Sequence, residues 1–156
     1  KNLFLCGNGG SAGNAIHLAN DFLYGVVDHG RRGIRVEALS ANPAVLTCLA
    51  NDIGYEDIFS TQIVTKGVEG DLLVVLSGSG NSPNVVDALA TAAKMDIQTF
   101  AVVGYDGGIC RKIADDYIHI QADDMQIAED CQLVVGHMCM KWLKASGPES
   151  ERRASS

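Results

Sequence analysis

Four side chains that can bind a metal ion or move a proton occur in two pairs, one near each end of the chain. His17 and Asp21 are four residues apart in a predicted helix, so both project from one face. Glu129 and His137 are eight apart in the last predicted helix, about 12 Å along its axis. Two imidazoles and two carboxylates suit Zn²⁺ or a similar divalent ion. On the residues alone, ordinary core or surface histidines remain the stronger interpretation, because pairs this loosely spaced arise easily.

Two glycine-rich loops, each between a predicted strand and a predicted helix, can hold an anion. Residues 7–11 are Gly-Asn-Gly-Gly-Ser, and residues 77–82 are Ser-Gly-Ser-Gly-Asn-Ser. Glycines let the backbone approach an anion, and the helix that follows presents free N–H groups. The hydroxyls of Ser77, Ser79 and Ser82 add donors suited to one phosphate monoester. The alternative for each loop is a plain strand-to-helix turn. The first loop also satisfies a permissive dinucleotide fingerprint, whereas a P-loop is excluded because no Gly-Lys-Ser/Thr follows either loop.

The elements that must position these residues alternate along the chain. Apolar runs predict strands at 3–6, 34–39, 71–76, 97–103 and 117–120, and helical patterns begin near 11 and cover 43–50, 56–68, 83–95, 109–115 and 126–143. This alternation predicts a three-layer α/β/α domain with a mainly parallel central sheet, Rossmann-like and of the flavodoxin type. Ligands of such sheets bind beyond the carboxyl ends of the strands, where both glycine loops fall. We expect one domain over 1–145 and a disordered polar tail over 146–156.

Composition limits the class of protein. The chain has 156 residues, 47 % of them hydrophobic, and a formal net charge of −7. It is long enough to bury a core, and its acidic balance argues against nucleic acid or an anionic membrane as the main partner. The five cysteines are scattered, which favours reduced thiols and a cytoplasmic location. The chain starts at Lys1, almost inside a strand, so we expect an N-terminal segment to be missing from it.

Several motifs together resemble the sugar isomerase (SIS) domain family and, more narrowly, its phosphoheptose isomerase branch. The likeness extends from Leu3 to about Leu143. The matching motifs are Gly-Asn-Gly-Gly-Ser at 7–11, Asn51-Asp52, Asp57-Ile58-Phe59-Ser60, and the serine loop at 77–82 after a Gly-Asp-Leu-Leu strand. The resemblance implies interconversion of sedoheptulose 7-phosphate and D-glycero-D-manno-heptose 7-phosphate, or of a closely related sugar phosphate, for surface polysaccharide. It also implies a homo-oligomer, specifically a tetramer. Members of the family have an N-terminal helix that takes part in this assembly, and this chain lacks that helix.

The resemblance also assigns site residues. It implies a zinc site at His17, Asp21, Glu129 and His137, with Asp21 as the catalytic base and His137 as the acid. It places Asn8, Gly9, Gly10, Ser11, Asn51, Asp52 and Glu129 against the sugar, and Ser77, Gly78, Ser79 and Ser82 against the phosphate. Three positions depart from the family pattern, because Asp21 replaces the usual Glu, Glu129 the usual Gln, and Gly78 a common Thr.

Two other functions compete with the isomerase. SIS folds also occur in non-catalytic phosphosugar-binding proteins, such as sensors and replication adaptors, which need only the serine loop. A nucleotide-dependent oxidoreductase would use the first loop alone, and the serine loop argues against it. The histidines and carboxylates of the candidate metal site favour the enzyme, so we expect a sugar phosphate ligand and no nucleotide cofactor.

Overall fold

The computed structural model describes residues 1–27 and 32–146. Its five strands are β1 (Leu3–Cys6), β2 (Val36–Ala38), β3 (Leu72–Ser77), β4 (Gln98–Val103) and β5 (Asp116–His119). Its six α-helices are α1 (Gly9–Asn20), α2 (Pro43–Asp52), α3 (Ser60–Lys66), α4 (Pro83–Lys94), α5 (Cys110–Ile113) and α6 (Met125–Ala145). A π-helical turn, Asp21–Gly25, continues α1, and a 3-10 turn, Tyr55–Asp57, lies between α2 and α3. The predicted tail lies, from residue 147 onward, outside the described residues.

The strands form one parallel sheet in the order β2-β1-β3-β4-β5. β1 and β3 are neighbours at the point where the strand order reverses, with Leu3 opposite Leu72 and Cys6 opposite Val75. Both glycine loops leave these two strands at the same edge of the sheet, which is where ligands bind in such folds. The predicted α/β fold with a parallel sheet is confirmed.

Helices cover both faces of the sheet because the side chains of each strand alternate. Phe4 and Cys6 of β1 point into one buried apolar cluster, which includes residues of α3 and α4. Leu3 and Leu5 point into the other, which includes residues of α1 and partly buried residues of α6. The helix pair α1 and α6 therefore lies on one face of the sheet, the face that also includes the predicted metal-binding residues.

Two predicted helices are shorter than expected. The helix predicted over 56–68 is divided, because a 3-10 turn precedes α3 and the extended backbone of Gly67 ends it. The helix predicted over 109–115 is the single turn α5, since Gly107 and Gly108 have positive φ before it and Ala114 is extended after it. No helix in residues 1–27 and 32–146 is long and apolar enough to cross a membrane.

Asp71 links the starts of β1 and β3. Its side chain is fully buried and accepts hydrogen bonds from the Asn2 backbone N–H (2.8 Å), the Asn2 amide (3.2 Å) and the Val68 backbone N–H (3.1 Å). Burial raises the pKa of this carboxyl, but the donated hydrogen bonds outweigh burial and hold the pKa below its usual value. Asp71 thus anchors, from the opposite edge of the sheet, the two strands that lead into the glycine loops.

Candidate active site

A cavity of about 270 Å³ lies where the two glycine loops meet. Its walls are the starts of α1 and α4, the loop after β3 and the first turns of α6. The lining residues are Asn8, Gly9, Gly10, Ser11, Leu76, Ser77, Gly78, Ser79, Ser82, Met125 and Glu129. The structure therefore brings nine of the predicted site residues together, and it adds Leu76 and Met125, which the sequence did not single out.

The serine loop presents three hydroxyls with protons free to donate. Ser77 Oγ accepts the Gly80 backbone N–H at 3.0 Å, and Ser79 Oγ accepts the Asn81 backbone N–H at 3.2 Å. Each hydroxyl therefore keeps its own O–H for a ligand. Ser82 is the N-cap residue of α4, but its hydroxyl makes no capping hydrogen bond. These hydroxyls and the positive end of the α4 dipole suit a phosphate.

Close packing fixes the shape of the serine loop. Gly80 has φ +66°, and a Cβ there would overlap the Gly107 backbone, so only glycine suits the position. A Cβ at Gly78 would overlap the Met125 Sδ. Met125 thus fills the space into which a side chain at residue 78 would point, which accounts for glycine where the family commonly has Thr.

Asn8 joins the two loops rather than pointing a free amide into the cavity. Its Nδ2 donates to Asn84 Oδ1 at 2.8 Å, and its Oδ1 accepts from Asn84 Nδ2 at 2.9 Å and from the Tyr55 hydroxyl at 3.0 Å. The side chain predicted to contact the sugar is therefore used within the protein. The sequence pattern did not indicate Asn84 or Tyr55, because both pair with Asn8 over a long distance in sequence. The one local hint was that Asn84 lies in the first turn after Ser82.

A buried amide network sets the orientation of Ser11. Asn14 Nδ2 donates to Gln132 Oε1 at 2.9 Å and also to the Glu129 carbonyl oxygen at 2.9 Å. Gln132, which is 1 % exposed, then donates through Nε2 to Ser11 Oγ at 3.0 Å. Since the Ser11 oxygen accepts from Gln132, its O–H proton is available to a ligand in the cavity. The sequence analysis did not identify Asn14 or Gln132, because nothing in the local pattern distinguishes them from other helical amides.

Helices α1 and α6 run side by side in the same direction. Gly10 lies against Glu129, Gly136 lies against Leu18, and Gly25 lies against Met140. The absence of side chains at these glycines lets the two helices approach closely. This parallel alignment brings residues that are 120 positions apart, such as His17 and His137, to the same level.

His17, Asp21 and His137 form one compact cluster. The two Nε2 atoms are 3.1 Å apart, and Asp21 Oδ2 lies 3.5 Å from His17 Nε2 and 3.1 Å from His137 Nε2. The side chains are 51 %, 18 % and 40 % exposed respectively, so the cluster is open to solvent. The sequence prediction that these three residues come together is thus consistent with the structure.

The donor atoms of this cluster fit a divalent ion. Tetrahedral zinc with bonds of about 2.0–2.1 Å holds its ligand atoms about 3.3–3.4 Å apart, close to the separations in this cluster. One ligand atom from each of the three residues lies within 4.8 Å of the others. Two histidines and one carboxylate are a donor set that zinc uses in catalytic sites, where a further position remains open.

Glu129 is not part of this cluster. Its carboxylate lies against Gly10 at the start of α1 and lines the cavity. Gly10 and His17 are seven residues apart, which places the cavity and the cluster about 10 Å apart along α1. The structure does not bring together the predicted four-residue metal site, because Glu129 and His137 are eight positions apart in α6, about 12 Å along its axis.

Asn51 and Asp52 do not line the cavity either. They are exposed at the end of α2, where Asn51 Nδ2 donates to Asp52 Oδ1 at 2.8 Å and Cys48 Sγ donates to Asp52 Oδ2 at 3.5 Å. The Asn51 amide, more than the Cys48 thiol, lowers the pKa of the Asp52 carboxyl. The predicted contact of these two residues with the sugar is therefore not seen within a single chain.

Comparison with known proteins agrees with the geometry. The model of the SIS domain family matches residues 1–104. A phosphoheptose isomerase of Akkermansia muciniphila is 39 % identical over 136 residues, which cover 87 % of this chain and 71 % of that protein. A phosphoheptose isomerase of Sulfurimonas denitrificans is 38 % identical over 138 residues, with 88 % and 70 % covered.

Solved structures give the same result. The phosphoheptose isomerase of Neisseria gonorrhoeae superposes with a TM-score of 0.85 at 28 % identity, covering 92 % of this chain and 76 % of that one. The phosphoheptose isomerase of Francisella tularensis superposes with a TM-score of 0.83 at 25 % identity, covering 94 % and 76 %. The chain therefore belongs to the SIS domain family and, within it, to the phosphoheptose isomerases.

Proposed function

We propose that this protein is an aldose–ketose isomerase that interconverts sedoheptulose 7-phosphate and D-glycero-D-manno-heptose 7-phosphate. The observation that supports this most directly is the His17–Asp21–His137 cluster, which lies on α1 and α6, two of the helices that also line the cavity. A protein that only binds a phosphosugar needs the cavity but not the cluster. The sequences and folds of the phosphoheptose isomerases support the same assignment.

The substrate phosphate would bind in the cavity at the serine loop. Ser77, Ser79 and Ser82 offer hydroxyl donors there, at the start of α4. None of the described residues that line the cavity is a lysine or an arginine. Among these residues, the serine hydroxyls and the positive end of the α4 dipole are the groups that would hold the phosphate.

Asp21 is proposed to move the proton between C1 and C2. Its carboxylate takes a proton from C1 of the ketose while His137 donates a proton to the C2 carbonyl oxygen, which gives an enediol. Asp21 then returns its proton to C2, His137 takes the proton of the C1 hydroxyl, and the aldose forms. Asp21 Oδ2 faces the two imidazoles and Oδ1 lies 3.4 Å from Asn20 Nδ2, so the carboxylate has distinct oxygens for positioning and for proton transfer.

Zn²⁺ is the metal that we propose for the His17, Asp21 and His137 side chains. When bound, it would polarise the substrate oxygens and stabilise the negative charge that develops on them. In the protein alone, His17 Nε2 lies 3.1 Å from His137 Nε2 and 3.5 Å from Asp21 Oδ2, so the three side chains already form one group.

Replacing Asp21 tests the assignment of the base. In Asp21→Asn, kcat for sedoheptulose 7-phosphate should fall by about a hundredfold or more, since general base catalysis typically contributes 10²–10⁴-fold. Turnover is followed by phosphorus NMR with saturating zinc. Asp130→Asn, which removes the same charge from an exposed position of α6, should retain normal turnover. Normal kcat in Asp21→Asn with metal bound would show that another group moves the proton.

We also propose that the chain works as a homotetramer in the cytoplasm, in the synthesis of heptose for surface polysaccharide. An apolar stripe on α6 supports assembly, because Val134, Met138 and Trp142 are 56 %, 65 % and 66 % exposed. Assembly could also bring Asn51 and Asp52 of one copy to the cavity of another. Light scattering after gel filtration measures the mass, and a monomer at micromolar concentration would contradict the proposal.

A further inference from the structure

The serine loop rests on the loop that joins β4 to α5, residues 104–109, which is its supporting loop. At one end of the supporting loop, the Gly104 N–H donates to the Gly78 carbonyl oxygen at 2.8 Å. Just beyond its other end, the Cys110 N–H donates to the Gly80 carbonyl oxygen at 2.9 Å. The backbone of the serine loop is therefore tied to the supporting loop on both sides of the residue between these two glycines.

The two loops touch through their backbones. A Cβ at Gly80 would overlap the Gly107 carbonyl group, and a Cβ at Gly108 would overlap the Ser79 carbonyl oxygen and the Gly80 backbone. Because no side chain lies between them, a shift of the supporting loop moves Ser79 directly. Ser79 lines the cavity, so the supporting loop sets where its hydroxyl meets a ligand.

Tyr105 is the strained residue of the supporting loop. Its φ is +45°, a left-handed backbone conformation that costs free energy in a residue with a Cβ. The segment at the end of β5 holds both of its backbone groups. The Tyr105 N–H donates to the Ala122 carbonyl oxygen at 3.1 Å, and the Tyr105 carbonyl oxygen lies 2.7 Å from His119 Nε2. Since a carbonyl oxygen only accepts, His119 Nε2 carries the proton and donates, so the contact requires a donor and not a charge.

We infer that His119 is a positioning residue for the phosphate site. Its ring holds Tyr105 in the left-handed conformation, Tyr105 fixes the supporting loop, and the supporting loop places the Ser79 hydroxyl. His119 is not among the described residues that line the cavity or form the metal cluster, so it acts on binding and not on the chemical step. The inference rests on the proposed function, because it takes the serine loop as the site of the substrate phosphate.

Replacing His119 by alanine should weaken phosphate binding without slowing the reaction. In His119→Ala, the Kd of inorganic phosphate and the KM for sedoheptulose 7-phosphate should each rise by about fivefold, the weight of one neutral hydrogen bond. With saturating zinc, kcat should stay close to that of wild type, because uniform binding is lost and the metal cluster is intact. His119→Gln offers an amide N–H at a similar reach and should restore both Kd and KM.

Thr99→Val is the matched control, because it weakens the contact between the same strand β4 and the chain that enters β5. Thr99 Oγ1 donates to Asp115 Oδ2 at 2.8 Å and accepts the Asp115 backbone N–H at 2.9 Å, at the end of β4 away from the supporting loop. Valine keeps the shape of threonine and removes both hydrogen bonds. This variant should melt at a lower temperature than wild type and bind phosphate equally well.

Phosphorus NMR titration with inorganic phosphate gives Kd, turnover of the same samples gives KM and kcat, and thermal unfolding shows that each variant is folded. An unchanged Kd in folded His119→Ala overturns the inference. So does a rise in Kd that His119→Gln fails to reverse, or one that Thr99→Val reproduces, because the effect would then come from general loss of stability.

Turnover also separates this inference from the proposed function. If wild-type protein binds phosphate without isomerising the sugar phosphate and Kd still rises in His119→Ala, the proposed reaction is wrong and the role of His119 stands. If turnover is normal and neither Kd nor KM responds to His119→Ala, the reaction stands and the inference is wrong. Failure of wild-type protein to bind inorganic phosphate overturns the inference, since there would be no phosphate site to position.

Discussion

Zinc should stabilise this protein against heat, and the effect should depend on His17. Truncation of His17 to alanine removes one of three donors of the cluster, and its side chain is 51 % exposed, so the change leaves no buried cavity. The folded apoprotein should therefore be about as stable as wild type. What should change is the response of the unfolding temperature to added zinc.

The size of that response follows from linkage. At a free zinc concentration 100 times the dissociation constant, binding to the native state adds about 2.7 kcal/mol. For a domain of this size, that corresponds to a rise in Tm of about 5–11 °C. If loss of one donor weakens binding by about a hundredfold, the same zinc concentration equals the new dissociation constant. The added stability is then about 0.4 kcal/mol, and Tm rises by about 1–2 °C.

Differential scanning calorimetry at matched zinc concentrations measures both shifts. His119→Ala is the control, because His119 lies on β5 with its ring nitrogen 2.7 Å from the Tyr105 carbonyl oxygen, outside the cluster. This variant loses a hydrogen bond and should melt lower, but its zinc-dependent rise should match that of wild type. An equal rise in His17→Ala and wild type would refute the metal site, since the stabilising ion would then be bound elsewhere.

Three further substitutions test how the protein holds the glycine loops in place. Burial raises the pKa of the Asp71 carboxyl, but the hydrogen bonds from Asn2 and Val68 lower the pKa by more than burial raises it. The stabilising effect of this carboxylate is therefore present above the unfolded-state pKa and is lost as pH falls through the folded-state pKa. Asp71→Asn should lower the free energy of unfolding by about 2–4 kcal/mol at pH 7 and by less in acid. Urea unfolding at several pH values measures the difference, and an equal loss at every pH would contradict the negative charge assigned to Asp71. Gly80→Ala should cost about 2–4 kcal/mol and abolish binding of phosphate monoesters in phosphorus NMR titrations, because φ is +66° and the new Cβ overlaps backbone. Gly13→Ala, where a Cβ has open space within α1, should instead stabilise the protein by about 0.5–1 kcal/mol, and a loss of phosphate binding there would count against this account of the loop.

The sequence predicted the centre of the sheet well because β1 is buried throughout and β3 is buried or half-buried along its whole length. β1 and β3 are apolar runs bounded by glycine or polar residues, and such runs have few alternatives to a covered parallel strand. The serine loop was equally predictable, since the residue types that terminate β3 are those that a phosphate site requires. The apolar strands and the serine loop are local features, so a short segment of sequence is enough to predict each of them.

The contacts that orient the site are long-range and have no local signal. Asn8 and Asn84 pair across 76 positions of sequence, and Ser11 and Gln132 across 121. An amide in a helix usually faces solvent, and only the packing of α1 on α6 distinguishes Gln132 from its exposed neighbours. The conformations of Ser11 and Asn8 follow from these pairings and could not be predicted before the helices were placed.

The positions of the four predicted metal ligands follow helical arithmetic. His17 and Asp21, four residues apart, share a face as the spacing predicts, and His137 meets them because α1 and α6 are parallel. The same arithmetic placed Glu129 about 12 Å from His137 along α6, too far for one ion unless the helix is distorted between them. The distortion occurs instead in the other helix, where a π-helical turn begins at Asp21. Such turns are frequent at functional sites, and here the turn begins at the residue whose carboxylate faces both imidazoles. Three donors therefore converge on one point, while the Glu129 side chain lines the cavity between the two glycine loops.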